Sequence, residues 1–89
     1  MSAKIHRKKT WPQYFEAVKK GHKKFDVRLD DFDCKAGDFL VLKEWDPKTE
    51  KFTGRELKKR VSFVFKTRDA RFWSQKELAE KGLQVFSLE

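Results

Sequence analysis

Three side chains on one short stretch carry the chemistry most visible in this chain. In Gly21-His22-Lys23-Lys24-Phe25-Asp26-Val27-Arg28, an ammonium, a carboxylate and a guanidinium follow one another within six positions. Lys23 can neutralise a phosphate as a mobile point charge. Arg28 can fork onto a phosphate or a base edge, or pair with Asp26 on the same strand face. The plain alternative for Asp26 and Arg28 is an ordinary surface pair, which contributes little and needs no function. Asp26 can also serve as a general base on a water if burial raises its pKa.

Other candidates lie on either side. His6, Arg7, Lys8 and Lys9 form either a solvated basic terminus or a strand that sends His6 or Lys9 toward the same place. Trp45 ends an apolar run beside a polar loop, where it is either core or free to stack on an unpaired base. Trp11 falls on a helical stripe and is expected in the core. Arg55, Lys58 and Arg60 form a second basic stripe that as a group can track a phosphate backbone, or else are solvated charges. Cys34 stands alone and His22 is the sole imidazole besides His6, so no metal site, disulfide framework or cofactor is expected. There is no Ser/His/Asp or Cys/His arrangement and no glycine-rich phosphate loop.

The whole composition agrees with a polyanion partner. The 89 residues suffice for one domain with a single modest core, expected to span 1–89. Lys and Arg number 22 against 14 Asp and Glu, a formal charge of +8. The excess is segregated: residues 1–30 hold nine basic and three acidic groups, residues 31–47 two and five, residues 48–89 eleven and six. Clustered cations sum their potentials and attract phosphate, so RNA or another single-stranded nucleic acid is the expected partner. Nine Phe, three Trp and one Tyr argue against disorder despite 40% charged residues. No apolar run approaches the ~20 residues of a membrane span, and the N-terminus lacks a signal-peptide core. A basic, cytoplasmic monomer without membrane contact is expected.

The elements that must position these groups read as β-α-β-β-β-α-β. A short polar edge strand covers 4–10. Thr10 is a candidate N-cap, Pro12 suits the first turn, and Trp11, Tyr14, Phe15 and Val18 form one apolar stripe ending at Gly21. Residues 25–29 alternate as a half-buried strand, 39–45 form a nearly continuous apolar strand, and 55–65 alternate again. Ser74 and Glu77 match a capping box opening a short helix that ends at Gly82, and 83–88 reads as a closing strand. Only the first helix can serve as a crossover, and the middle strands suit antiparallel pairing. The fold class is therefore α+β: a curved sheet or a small open barrel of about five strands, with two helices packed at its ends.

The Gly21–Arg28 stretch resembles the G-x-K-x-x-[E/T]-x-R motif of ASCH domains, a branch of the PUA-like superfamily. His6, Lys9, Trp11-Pro12, Tyr14–Val18, Asp31, Asp33, Gly37-Asp38, Glu44–Pro47 and Thr53–Arg55 extend the likeness to a family of small bacterial and phage ASCH-like proteins. Leu29, Cys34 and Ala36 depart from the pattern, and residues 66–82 are longer than the usual link. The resemblance implies a PUA-like barrel with a basic cleft between the first helix and the next strand, related domains being implicated in binding RNA or modified nucleosides there. Lys9, Lys23, Asp26, Arg28, Trp45 and Arg55 are the residues expected to serve such a site. Some small ASCH proteins resemble amidohydrolases of acetylated cytidine, in which a Lys, a Thr and a Glu act. Lys23 matches that Lys, but Asp26 stands at the Thr position, and an acylated carboxylate would be a mixed anhydride needing its own breakdown route. Glu44 and Glu56 are candidates for the Glu by location only. Binding is thus expected over catalysis, with an amidohydrolase of an acylated nucleoside or an accessory role against an acidic protein as the alternatives.

Overall fold

The computed structural model describes residues 2–89. Its elements run β1 (Ile5–Thr10), α1 (Pro12–Lys19), β2 (Phe39–Asp46), β3 (Lys51–Arg60), a 3-10 turn (Thr67–Asp69) and α2 (Gln75–Lys81), an α+β arrangement. One open sheet has the order β1-β2-β3, with the polar first strand at its edge as its composition suggests. β1 lies parallel to β2, Ile5 opposite Phe39, so α1 is the crossover between them. β2 and β3 are antiparallel through a four-residue turn, and the register slips between Lys43 and Trp45 to accommodate extra residues of β3. Among the described residues no helix is long and apolar enough to cross a membrane.

Because side chains alternate across a strand, the sheet has two unlike faces. Leu40, Leu42 and Leu57 point toward α1, where Phe15 and Val18 complete a small core. Phe15 is 1% exposed and Leu42 2%. Full burial of side chains of this size stabilises by about 1.5–3 kcal/mol each.

Several expectations need correction. The N-cap of α1 is Trp11, not Thr10, and no side chain caps it; Thr10 is the buried last residue of β1. Trp11 lies outside the helix and is exposed, as is Tyr14, because the apolar contact of α1 with the sheet runs through Phe15 and Val18. The third strand is Lys51–Arg60, earlier than 55–65, since Phe52 and Lys51 pair with Trp45 and Asp46 beside the turn. Segments 25–29 and 83–88 form no regular element and belong to no sheet. At the edge strand β1 the Lys9 carbonyl accepts the Arg28 side chain. Residues 83–88 are tied to the rest through Ser87, whose hydroxyl accepts the Lys24 N–H at 2.9 Å. The expected capping box is present in α2, with Gly82 after its last turn.

Candidate functional site

α1 ends where Gly21 adopts φ 81°, a conformation open to glycine at no steric cost. The N–H groups of His22 and Lys23 then both donate to the Ala17 carbonyl, at 2.9 and 3.0 Å. That wrap turns the chain back and brings Lys23 to the mouth of a cavity of about 1190 Å³ on the α1 side of the sheet. Leu40 and Leu42 line it from the sheet, and segments 25–30, 61–67 and 83–86 contribute the walls.

Lys23, Asp26 and Arg28 all line this cavity. The Lys23 ammonium is largely covered, donates to the Phe25 carbonyl at 2.8 Å, and stands 3.8 Å from Asp26 Oδ1. Burial lowers its pKa, the Asp26 carboxylate opposes that, and Arg28 adds to the lowering. Arg28 is held more firmly. Its Nε donates to Asp26 Oδ2 at 2.7 Å and its Nη1 to the Lys9 carbonyl at 2.6 Å. Its Nη2 donates to Thr10 Oγ1 at 2.9 Å and to Asp26 Oδ1 at 3.3 Å. Arg28 therefore fastens segment 25–29 to the end of β1 and orients Asp26, whereas Lys23 keeps ammonium donors without a protein partner.

The other three candidates lie elsewhere. Lys9 and Trp45 share the opposite sheet face, with the Lys9 ammonium 4.1 Å from the Trp45 ring centroid. Arg55 was expected in a stripe with Lys58 and Arg60, but alternation along β3 puts it on the α1 side. There its Nε and Nη2 donate to Glu44 at 2.9 and 2.8 Å, its Nη2 to Glu16 at 2.5 Å, and its guanidinium lies 4.8 Å from the Phe15 ring. Two carboxylates neutralise this cation. Its role in the structure is to clasp α1 to the irregular stretch of β2 and β3, and Glu44 serves that clasp.

Sequence reading missed Thr10 as the hydroxyl that receives Arg28, and missed a second polar lock. His6 Nε2 and Asp38 Oδ2 are 3.0 Å apart, and the Lys4 and Lys35 N–H groups donate to Asp38 at 3.1 Å each. Cys34 joins them, so three potential ligand atoms lie within 4.8 Å of one another, an arrangement of distant residues invisible as a spacing motif. Burial pushes the Cys34 thiol up, as do the charges of Asp38 and Asp33.

The two locks make stability sensitive to acid. The His6 hydrogen bond and two backbone N–H groups hold Asp38 at about 2, below its ordinary 3.8. Arg55 and Thr53 hold Glu44 at about 2, below 4.5. Above the ordinary values both groups are ionised whether or not the chain is folded, and their contribution is complete. As pH falls from there toward 2, the unfolded chain takes up protons first and the folded state loses ground. Urea midpoints measured from pH 6 to pH 2 should fall mostly below pH 4.5, and Glu44→Gln should flatten the descent. An unchanged descent in that variant would remove Glu44 from the explanation.

Comparison with known proteins adds a family. A model described as a domain of unknown function (DUF3850) matches residues 5–79. The chain belongs to that family. The match takes in the whole sheet, α1, the Gly21–Arg28 stretch and most of α2, so the DUF3850 unit contains both the cavity cations and the Arg55 clasp. A relative from Escherichia phage P2, the "Uncharacterized 12.9 kDa protein in GpA 3'region", is 39% identical over 64 residues. That alignment covers 72% of this chain and 57% of the phage protein, so the chain spans a little over half the length of that relative.

Proposed function

We propose that this chain is a nucleotide- or RNA-binding module whose cavity holds one nucleotide at Lys23. The observation that carries this reading is the convergence of Lys23, Asp26 and Arg28 on one cavity whose floor is apolar. An apolar pocket with a few fixed polar groups suits a base, and a cation at its mouth suits the attached phosphate. Lys23 is the phosphate-facing group, Asp26 accepts from an amino group of the base, and Arg28 holds Asp26 in place. Both Asp26 oxygens already accept from Arg28, which favours binding over hydrolysis of an acylated nucleoside.

The PUA-like barrel of about five strands belongs to the same proposal. Residues 25–29 and 83–88 become its further strands, joined across the Lys24–Ser87 contact, and closure covers Val27 and Leu29, 66% and 81% exposed in the open sheet. Cross-strand nuclear Overhauser effects between these two segments would support closure, and their absence with a nucleotide bound would rule it out.

Lys23→Ala should weaken binding of a nucleoside monophosphate by about 10- to 100-fold, the range of a hydrogen bond to a charged group. Lys76→Ala, on the exposed α2 and outside the cavity lining, should leave it within about twofold. Calorimetric titration of both variants checks this. Equal affinities would remove Lys23 from the site.

A further inference from the structure

The face of the sheet turned away from α1 carries five cations that take part in no ion pair of the described residues. Alternation and register place Arg7 and Lys9 of β1, Lys43 of β2, and Lys58 and Arg60 of β3 on this face. Glu56 is the carboxylate among them. None of the ion pairs of the described residues includes any of these five cations. The contrast with Arg28 and Arg55, both held by carboxylates, is sharp.

Aromatic rings are interleaved with these cations. The Lys9 ammonium lies 4.1 Å from the Trp45 ring centroid, Lys43 4.6 Å from Phe52, and Lys58 4.5 Å from Phe39. Trp45 and Phe52 are direct register partners at one end of the sheet, and Phe52 is 51% exposed. Phe39 stands six residues back along β2, about 20 Å away at the rise of a strand. Cations resting on rings keep both groups at the surface and ready for exchange, since a cation–π contact at an exposed site is weak.

We infer that this face is a binding surface for single-stranded nucleic acid, laid across β1-β2-β3. The lysine ammoniums move from the rings to phosphates, and bases take their places on Trp45, Phe52 and Phe39. Charge complementarity alone would also admit an acidic protein. The rings decide between them, because every base offers a π-face to an aromatic platform whereas Asp and Glu side chains offer none. This surface lies across the sheet from the cavity and does not depend on the nucleotide reading there.

The test is fluorescence anisotropy of a labelled twelve-residue oligouridylate against the full chain, repeated at several salt concentrations. Phe52→Ala should weaken binding about tenfold. Lys43→Gln with Lys58→Gln should reduce the log–log salt slope by about 1.4, at ~0.7 for each single-strand phosphate that is no longer neutralised. Lys76→Ala, on the exposed α2, should leave oligouridylate binding unchanged. These side chains lie on the solvent-facing side of the sheet, and circular dichroism confirms that each variant folds; Phe52→Leu, which keeps bulk and removes the ring, repeats the test if Phe52→Ala does not. Three results overturn the inference: no binding by the unmodified chain, weakening confined to Lys23→Ala, or binding that ignores Phe52 and is competed equally by a polyglutamate peptide.

Discussion

Phe15→Ala should destabilise the chain by ~3–5 kcal/mol, the range for removing a buried aromatic side chain. Few side chains share its burial: Phe15, Val18 and Leu42 form the buried cluster, with Leu40 and Leu57 packed beside it. The ring also supports Arg55, whose guanidinium lies 4.8 Å from its centroid while joining Glu16 of α1 to Glu44 of β2. Loss of the ring therefore opens a cavity and removes the platform of that clasp. Against a total of about 5–15 kcal/mol for a native domain, such a loss leaves a substantial unfolded population. Tyr14→Ala, next to it and 52% exposed, should change stability by less than about 1 kcal/mol. Urea unfolding of the two variants checks the pair. Equal costs would mean that α1 does not face the sheet as described.

Arg28→Ala should have the second large effect, on stability and binding together. Its guanidinium donates to Asp26, the Lys9 carbonyl and Thr10 Oγ1, and so holds segment 25–29 against the edge of β1. Removal leaves Asp26 with only the Lys23 ammonium 3.8 Å away, and the Thr10 hydroxyl, on a buried residue, without that donor. The expected cost is about 1–3 kcal/mol, the scale for an unsatisfied buried group. Nucleotide affinity should fall at least tenfold, because Asp26 is no longer oriented. Arg28→Lys should rescue little of either, since an ammonium cannot reproduce a planar fork that reaches three partners. Stability measured by urea and affinity measured by calorimetry should fall together. Loss of affinity at unchanged stability would instead make Arg28 a direct ligand group.

Much of this arrangement was legible in the residues, and the failures have physical causes. That only the first helix can serve as a crossover was legible, but the strand expected after it was 25–29, whereas the strand parallel to β1 is Phe39–Asp46. The Ser74–Glu77 capping box was equally plain, because its hydrogen bonds are local. Thr10 misled because hydroxyl residues before a proline-initiated helix usually cap it, whereas here the hydroxyl meets Arg28 from a distant segment. Trp11 misled because helical spacing shows a stripe but not how wide a sheet will cover it. Arg55 was readable in principle: it shares parity with Leu57, the residue that faces α1, and so parts from Lys58 and Arg60. The His6, Cys34 and Asp38 cluster was not readable, since its members come together only when β1 pairs with β2. The grouping of Lys23, Asp26 and Arg28 was expected from the resemblance of their stretch to the ASCH motif, while the acceptors that fix Arg28 on β1 were not legible.

The most direct measurement of the central claim is a nuclear magnetic resonance titration of the 15N-labelled chain with a nucleoside monophosphate. Saturable shifts at the amides of Lys23 through Arg28 and of Thr10, with little change at Lys43 and Lys58, are the result expected if the cavity holds the nucleotide. Shifts spread evenly over the basic surface, or confined to the far side of the sheet, would contradict it.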